Sequence, residues 1–177
     1  MLTFKNIVLA TDLSENSAAA APYAVELARI YNGTIHVLYV SDDILYQSGS
    51  FADGSMGYDP ETWMAVMREH WERLLREFAE KIRVHENIRV NPVLVHGYAP
   101  EEIVKFATEQ RADCIVIATH GRTGLAHFFN GSVAEKVIRT SPCPVLTIRP
   151  ATIIPHKDED TDAVAASAIE KNEDIIL

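Results

Sequence analysis

Five short apolar runs alternate with segments whose apolar positions recur at helical spacing. The first run, NIVLAT (6–11), is unbroken, rich in β-branched residues and stops at Asp12. Such runs suit strands buried on both faces of a parallel sheet, where no polar face imposes a period of two. In SENSAAAAPYAVELARIYNG (14–33) the period changes: Ala21, Val25 and Ala28 align, flanked by Ala24 and Leu27. Ser14 is the expected N-cap of a helix here, and Gly33 its C-terminal stop. TIHVLYV (34–40) is the second expected strand.

The stretch 41–60 is rich in glycine and serine and reads as one long loop, of a length usual for lids, binding loops or disordered segments. A helix follows from Pro60 to about Arg83, with Met64, Met67, Trp71, Leu74, Phe78 and Ile82 marking its apolar face. IRVNPVLVHG (88–97) is the third strand, and Pro92 within it predicts an edge position, because proline lacks a ladder donor. APEEIVKFATEQRA predicts a helix with Pro100 at N1 and acids in its first turn. DCIVIATHG (113–121), SVAEKVIRTS (132–141) and PVLTIRP (144–150) complete the series as strand, helix and strand.

Five alternations of strand and helix predict an α/β fold: a five-stranded parallel sheet with helices on both faces and right-handed crossovers. Ligands of such sheets bind beyond the carboxyl ends of the strands, where the strand order reverses. With the order 3-2-1-4-5, the ends of strands 1 (Thr11-Asp12) and 4 (Thr119-His120-Gly121) flank that point.

Composition narrows the picture. The chain has 177 residues, 47% of them hydrophobic and 23% charged, as expected of one globular domain with its own core. A formal charge of −9 argues against sequence-independent binding to nucleic acid or anionic lipid. No run reaches the length of a membrane span and no secretory leader is evident, so a cytoplasmic location is expected. Cys114 lies in an apolar run, Cys143 stands between two prolines, and no CxxC spacing occurs; both are expected to be reduced. The domain is expected to span 1–150. Residues 151–177 carry seven acids against two lysines and are expected to form an acidic, solvated tail.

The chemistry concentrates in ATHGRTGLAHFFNGSVAEKV (118–137). Gly121 follows strand 4, and nine residues later Gly131-Ser132 open a helix. The orphan N–H groups of a helix start and its dipole make an anion site, glycine lets backbone approach an oxygen, and Arg122 adds charge. Ser132 and Glu135 also fit a capping box, a role that coexists with donation to a phosphate. At the end of strand 1, Asp12 has two readings. It accepts from ribose hydroxyls or holds Mg²⁺ through water, or it caps the next helix. There is no GxxxxGK[ST] and no GxGxxG after strand 1. His36 and His96 lie in strands and read as structural. The seven histidines show no metal-ligand spacing, and no activated serine or cysteine nucleophile is evident. The pattern is a binding site without catalytic residues.

NIVLATDLSENS, HGYAPEEIVKFATEQRADCIVIATHGRTG and NGSVAEKVIRTSPCPVLTIR together resemble the universal stress protein family over about residues 3–149. The family's ATP-binding branch carries Gly-x2-Gly-x9-Gly-[Ser/Thr]; Gly121, Gly131 and Ser132 match it, and Ala118 stands where the first glycine would be. The resemblance implies a Rossmann-like 3-2-1-4-5 sheet that binds ATP, AMP or ADP, with Mg²⁺. It implies that Asp12 and the backbone of Val40 face ribose and adenine, and that Gly121, Arg122, Gly131, Ser132 and Val133 surround the phosphates. Thr11, Ala118, His120 and Gly124 complete the expected set. It further implies a homodimer pairing through the last strand (144–149) and a role in stress response or signalling with at most slow ATP hydrolysis. Two alternatives stay open: a dimeric interaction module of the same fold that binds no nucleotide, working through a protein partner, and a slow ATPase.

Overall fold

The computed structural model describes residues 3–41, 60–83, 88–119 and 133–149. The elements run β1 (Asn6–Thr11), α1 (Glu15–Ala18), α2 (Ala21–Tyr31), β2 (Thr34–Ser41), α3 (Pro60–Arg83), β3 (Arg89–His96), α4 (Ala99–Glu109), β4 (Cys114–Ala118), α5 (Val133–Thr140) and β5 (Val145–Ile148). The strands form one parallel sheet in the order β3-β2-β1-β4-β5, as the alternation predicts. Residues 42–59 of the loop expected over 41–60, and the acidic tail expected over 151–177, lie outside the described residues.

Alternate residues of the unbroken strands feed two clusters. Ile7, Leu9, Ile35, Val37, Cys114 and Val116 pack with Ala20, Ala24 and Ala28 on one face, where α3 adds Leu75, Ala79 and Ile82. Val8, Ala10, Leu38, Ile115 and Ile117 pack on the other with Ile103 and Ala107 of α4 and Ala134 and Val137 of α5. Both faces are covered, which is why no polar period shows in β1 or β4.

Three local expectations are corrected. The expected helix over 14–33 is two helices, because Pro22 has no N–H for the Ala18 carbonyl and its ring would clash with it. Ser14 caps the first piece as predicted, its side chain accepting from Ser17 N at 3.2 Å. The left-handed residue closing α2 is Asn32 (φ 50°), not Gly33. Gly33 is required for another reason: a Cβ there would stand 2.7 Å from the Phe4 carbonyl oxygen. On α3 the buried position is Leu75, with Ala79 and Ile82, rather than Leu74.

Pro92 does sit on the edge strand, and its orientation is defined. Gly97 N donates to Ser41 O at 3.1 Å, so odd-numbered residues of β3 turn their backbone groups toward β2. Even-numbered residues face outward. Pro92 therefore presents its ring nitrogen to the open edge, and the outward Val90 carbonyl accepts from Arg83 Nη2 at 2.7 Å.

Candidate functional site

The sheet's topology makes one crevice. From β1 the chain crosses toward β2; from β4 it crosses the other way toward β5, so the carboxyl ends of β1 and β4 are neighbours whose connections diverge. The register pairs Ala10 with Ile117 and Thr11 with Tyr39, bringing Thr11, Ala118 and Val40 to about one level on the sheet's rim.

The β1 end is built from hydroxyls. Asp12 Oδ1 accepts from Ser14 N at 3.0 Å and from Ser14 Oγ at 2.5 Å. Ser14 Oγ in turn accepts from Ser17 N. Ser17 Oγ donates to Ser14 O at 2.9 Å, so its single proton is committed, and Thr11 Oγ1 must donate across the 2.8 Å contact to it. Thr11 Oγ1 also accepts from Leu13 N at 2.9 Å. These bonds hold Leu13 at φ 63°, a left-handed conformation unfavourable for a leucine. Thr11 and Ser17 are buried and Asp12 half-buried. The reading of Asp12 as the cap of the next helix is corrected: Ser14 is the N-cap, and the Asp12 carboxylate accepts from that serine.

At the β4 end, Ala118 packs into the core cluster on the α2 face, so its methyl is absorbed there. Thr119 N donates to Ile148 O at 2.9 Å, anchoring the strand end to β5. Val133 begins α5 with its side chain partly exposed, while Ala134 and Val137 pin the helix to the sheet. Lys136 of α5 donates to the Tyr98 hydroxyl at the start of α4 and lies 5.0 Å from its ring centroid. His120, Gly121, Arg122, Gly124, Gly131 and Ser132 lie outside the described residues.

Val40, half-buried on the α4 face, precedes a second polar junction. Ser41 Oγ and His96 Nδ1 are 2.5 Å apart, joining the last residues of β2 and β3. His36 packs edge-on against Phe106, centroids 5.7 Å apart, and burial lowers its pKa. His36 thus packs against α4, and His96 bonds across the two strand ends. Burial likewise raises the Cys114 thiol to about 11 and the Cys143 thiol above its usual value, and both cysteines are free. Among the described residues, no cluster of three metal-ligating side chains occurs. No helix of the described residues is long and apolar enough to cross a membrane.

Sequence reasoning singled out Asp12 and Thr11 but missed what joins them. The Thr11–Ser17–Ser14–Asp12 chain was present in TDLSENS only as four polar letters; spacing alone does not reveal a left-handed Leu13. The Ser41–His96 pair was also missed, since each lies at the end of a separate strand.

Residues 3–149 match the model of the universal stress protein family. A universal stress protein of Methanocaldococcus jannaschii is 33% identical over 146 residues, covering 82% of each chain. A solved universal stress protein in complex with cAMP aligns with a TM-score of 0.62 at 21% identity, covering 84% of this chain and 98% of that one. One from Archaeoglobus fulgidus in complex with dAMP gives 0.56 at 23%, covering 84% and 100%.

Proposed function

Because the chain belongs to the universal stress protein family, we propose that it binds ATP, or AMP or ADP, at the β1/β4 crevice and serves stress response or signalling with little or no catalysis. The observation that carries this reading is the placement of Asp12, a half-buried carboxylate oriented by Ser14, at the switch point of the sheet. There it faces ribose, with Thr11, Ala118 and the backbone of Val40 along the same rim. Gly121, Arg122, Gly131, Ser132 and Val133 hold the phosphates, using the N–H groups that open α5, and His120 and Gly124 complete the nucleotide-binding set. Ala118, in place of the motif's first glycine, is compatible with this reading, since its methyl packs in the core. Two solved proteins of the same fold hold cAMP and dAMP, which supports an adenine ligand.

Mg²⁺ would reach the protein mainly through phosphate oxygens and water, with Asp12 as a water-mediated ligand; one carboxylate suffices for that mode. Two copies pair through 144–149, where Leu146 leaves an apolar edge partly exposed. The protein works in the cytoplasm.

Native mass spectrometry of the purified protein, followed by calorimetry with ATP and AMP, tests the reading. Retained adenine nucleotide or micromolar-to-millimolar binding, abolished by Gly131→Val, is expected. No retained nucleotide and no heat at millimolar ATP would overturn it.

A further inference from the structure

We propose that Ser14 is the positioning residue that aims Asp12 at the ribose, so that discrimination for ribose hydroxyls resides in a side chain that does not itself touch the ligand. This rests on the nucleotide reading above. An aspartate at a strand end can rotate about two side-chain bonds, and a carboxylate that must be ordered on binding loses affinity. Here Ser14 grips Oδ1 twice, through its N–H at 3.0 Å and its hydroxyl at 2.5 Å. Two donors converging on one oxygen define the carboxylate plane before any ligand arrives.

Ser14 is itself held in place. Its backbone is extended (φ −81°, ψ 160°), its Oγ accepts from Ser17 N, and its carbonyl accepts from Ser17 Oγ and from Ala18 N at 3.0 Å. The left-handed Leu13 between Asp12 and Ser14 brings the serine back over the carboxylate, and Thr11 Oγ1 holds that kink through the Leu13 N–H. A strained residue kept by several bonds beside a ligand crevice is a device of pre-organisation.

The test compares affinities for ATP and 2′,3′-dideoxy-ATP by calorimetry. The wild type is expected to prefer ATP. Ser14→Ala should lose about tenfold or more in ATP affinity, since it removes a hydrogen bond to a charged group, and should bind the two nucleotides within about twofold of each other. Ser14→Gly, which caps a helix almost as well as serine, should behave like Ser14→Ala even if the alanine variant fails to fold. Ser14→Thr keeps the hydroxyl and suits an extended backbone, so it should restore the preference. Ser17→Ala keeps the N–H that Ser14 needs; it should lower the melting temperature and leave the ratio unchanged. A Ser14→Gly variant that keeps the wild-type preference overturns this inference alone. A wild type that binds ATP without preferring it also overturns it. A wild type that binds neither nucleotide overturns the underlying reading and this inference with it.

Discussion

Thr11→Val is the most direct perturbation of the β1 turn, because valine keeps the shape of threonine and removes only the hydroxyl. Two interactions go: the 2.8 Å contact with Ser17 Oγ and the 2.9 Å bond from Leu13 N. Each neutral hydrogen bond contributes about 1 kcal/mol net, and leaving the Leu13 N–H without its acceptor adds about 1 kcal/mol more. The left-handed Leu13 then lacks the bond that offsets its conformation. The sum is about 2–3 kcal/mol, which in a domain of this size lowers the melting temperature by about 5–10 °C. Ser17→Ala is the internal control. It also loses two bonds, the Thr11 contact and its own bond to Ser14 O, but the Leu13 N–H keeps its acceptor and Ser14 O keeps its bond from Ala18 N, so a cost about 1 kcal/mol smaller and a shift about 2–4 °C smaller than for Thr11→Val are expected. Thermal unfolding followed by circular dichroism reads both. A Thr11→Val shift under 2 °C, or a Ser17→Ala shift as large as that of Thr11→Val, would refute the claim that Thr11 holds the kink.

Further outcomes follow from the packing and the titrating groups. Leu75→Ala should destabilise by about 2–5 kcal/mol in urea unfolding and Leu74→Ala by under about 1 kcal/mol, because only Leu75 is fully buried. Gly97→Ala should destabilise strongly in the same assay: Gly97 has φ 142°, and an added Cβ would lie 2.9 Å from Glu102 Cγ. The Cys114 thiol, raised to about 11 by burial, should resist iodoacetamide at pH 8 in the folded state. Its folded pKa exceeds the unfolded value, so its stabilisation is complete below about pH 9 and is lost as pH rises toward 11; Cys114→Ala should flatten that part of the stability profile. His36 is shifted the other way: its stabilisation is present above its ordinary pKa of about 6.5 and is lost as the solution is acidified below that, so His36→Phe should flatten the acid limb measured by urea unfolding between pH 7 and 5.

Much of the fold was legible because it depends on chemistry that a one-dimensional pattern carries. Unbroken apolar runs and intervening helical spacing mark a sheet covered on both faces, and Pro92 assigned β3 to an edge before any pairing was known. What the pattern missed depends on phase and backbone handedness. Along α3 a face drawn through Leu74 differs from one through Leu75 by a single residue, about 100° of helix rotation, and only packing against the sheet decides between them. The left-handed turn ending α2 could have used Gly33, but Gly33 is required by the approach of the Phe4 carbonyl, so Asn32 takes the turn. At the candidate site, Asp12 and Thr11 were legible as polar residues ending a strand. Their coupling through Ser17 and Ser14 was not, because it exists only when Leu13 turns the chain back.

The two margins of the sheet are chemically unequal. On β3, the outward proline nitrogen has no proton to give and the outward Val90 carbonyl is already occupied by Arg83. At these two residues that margin resists strand addition, whereas β5 ends the sheet with no such device among its described residues. A ladder that propagates from molecule to molecule needs a receptive margin at each side of every unit. With one side resistant, strand-to-strand joining is steered toward β5 on β5, a two-fold contact that would consume both receptive margins at once. Such growth would stop at two copies, so Pro92 and Arg83 oppose fibre formation from the opposite edge of the sheet.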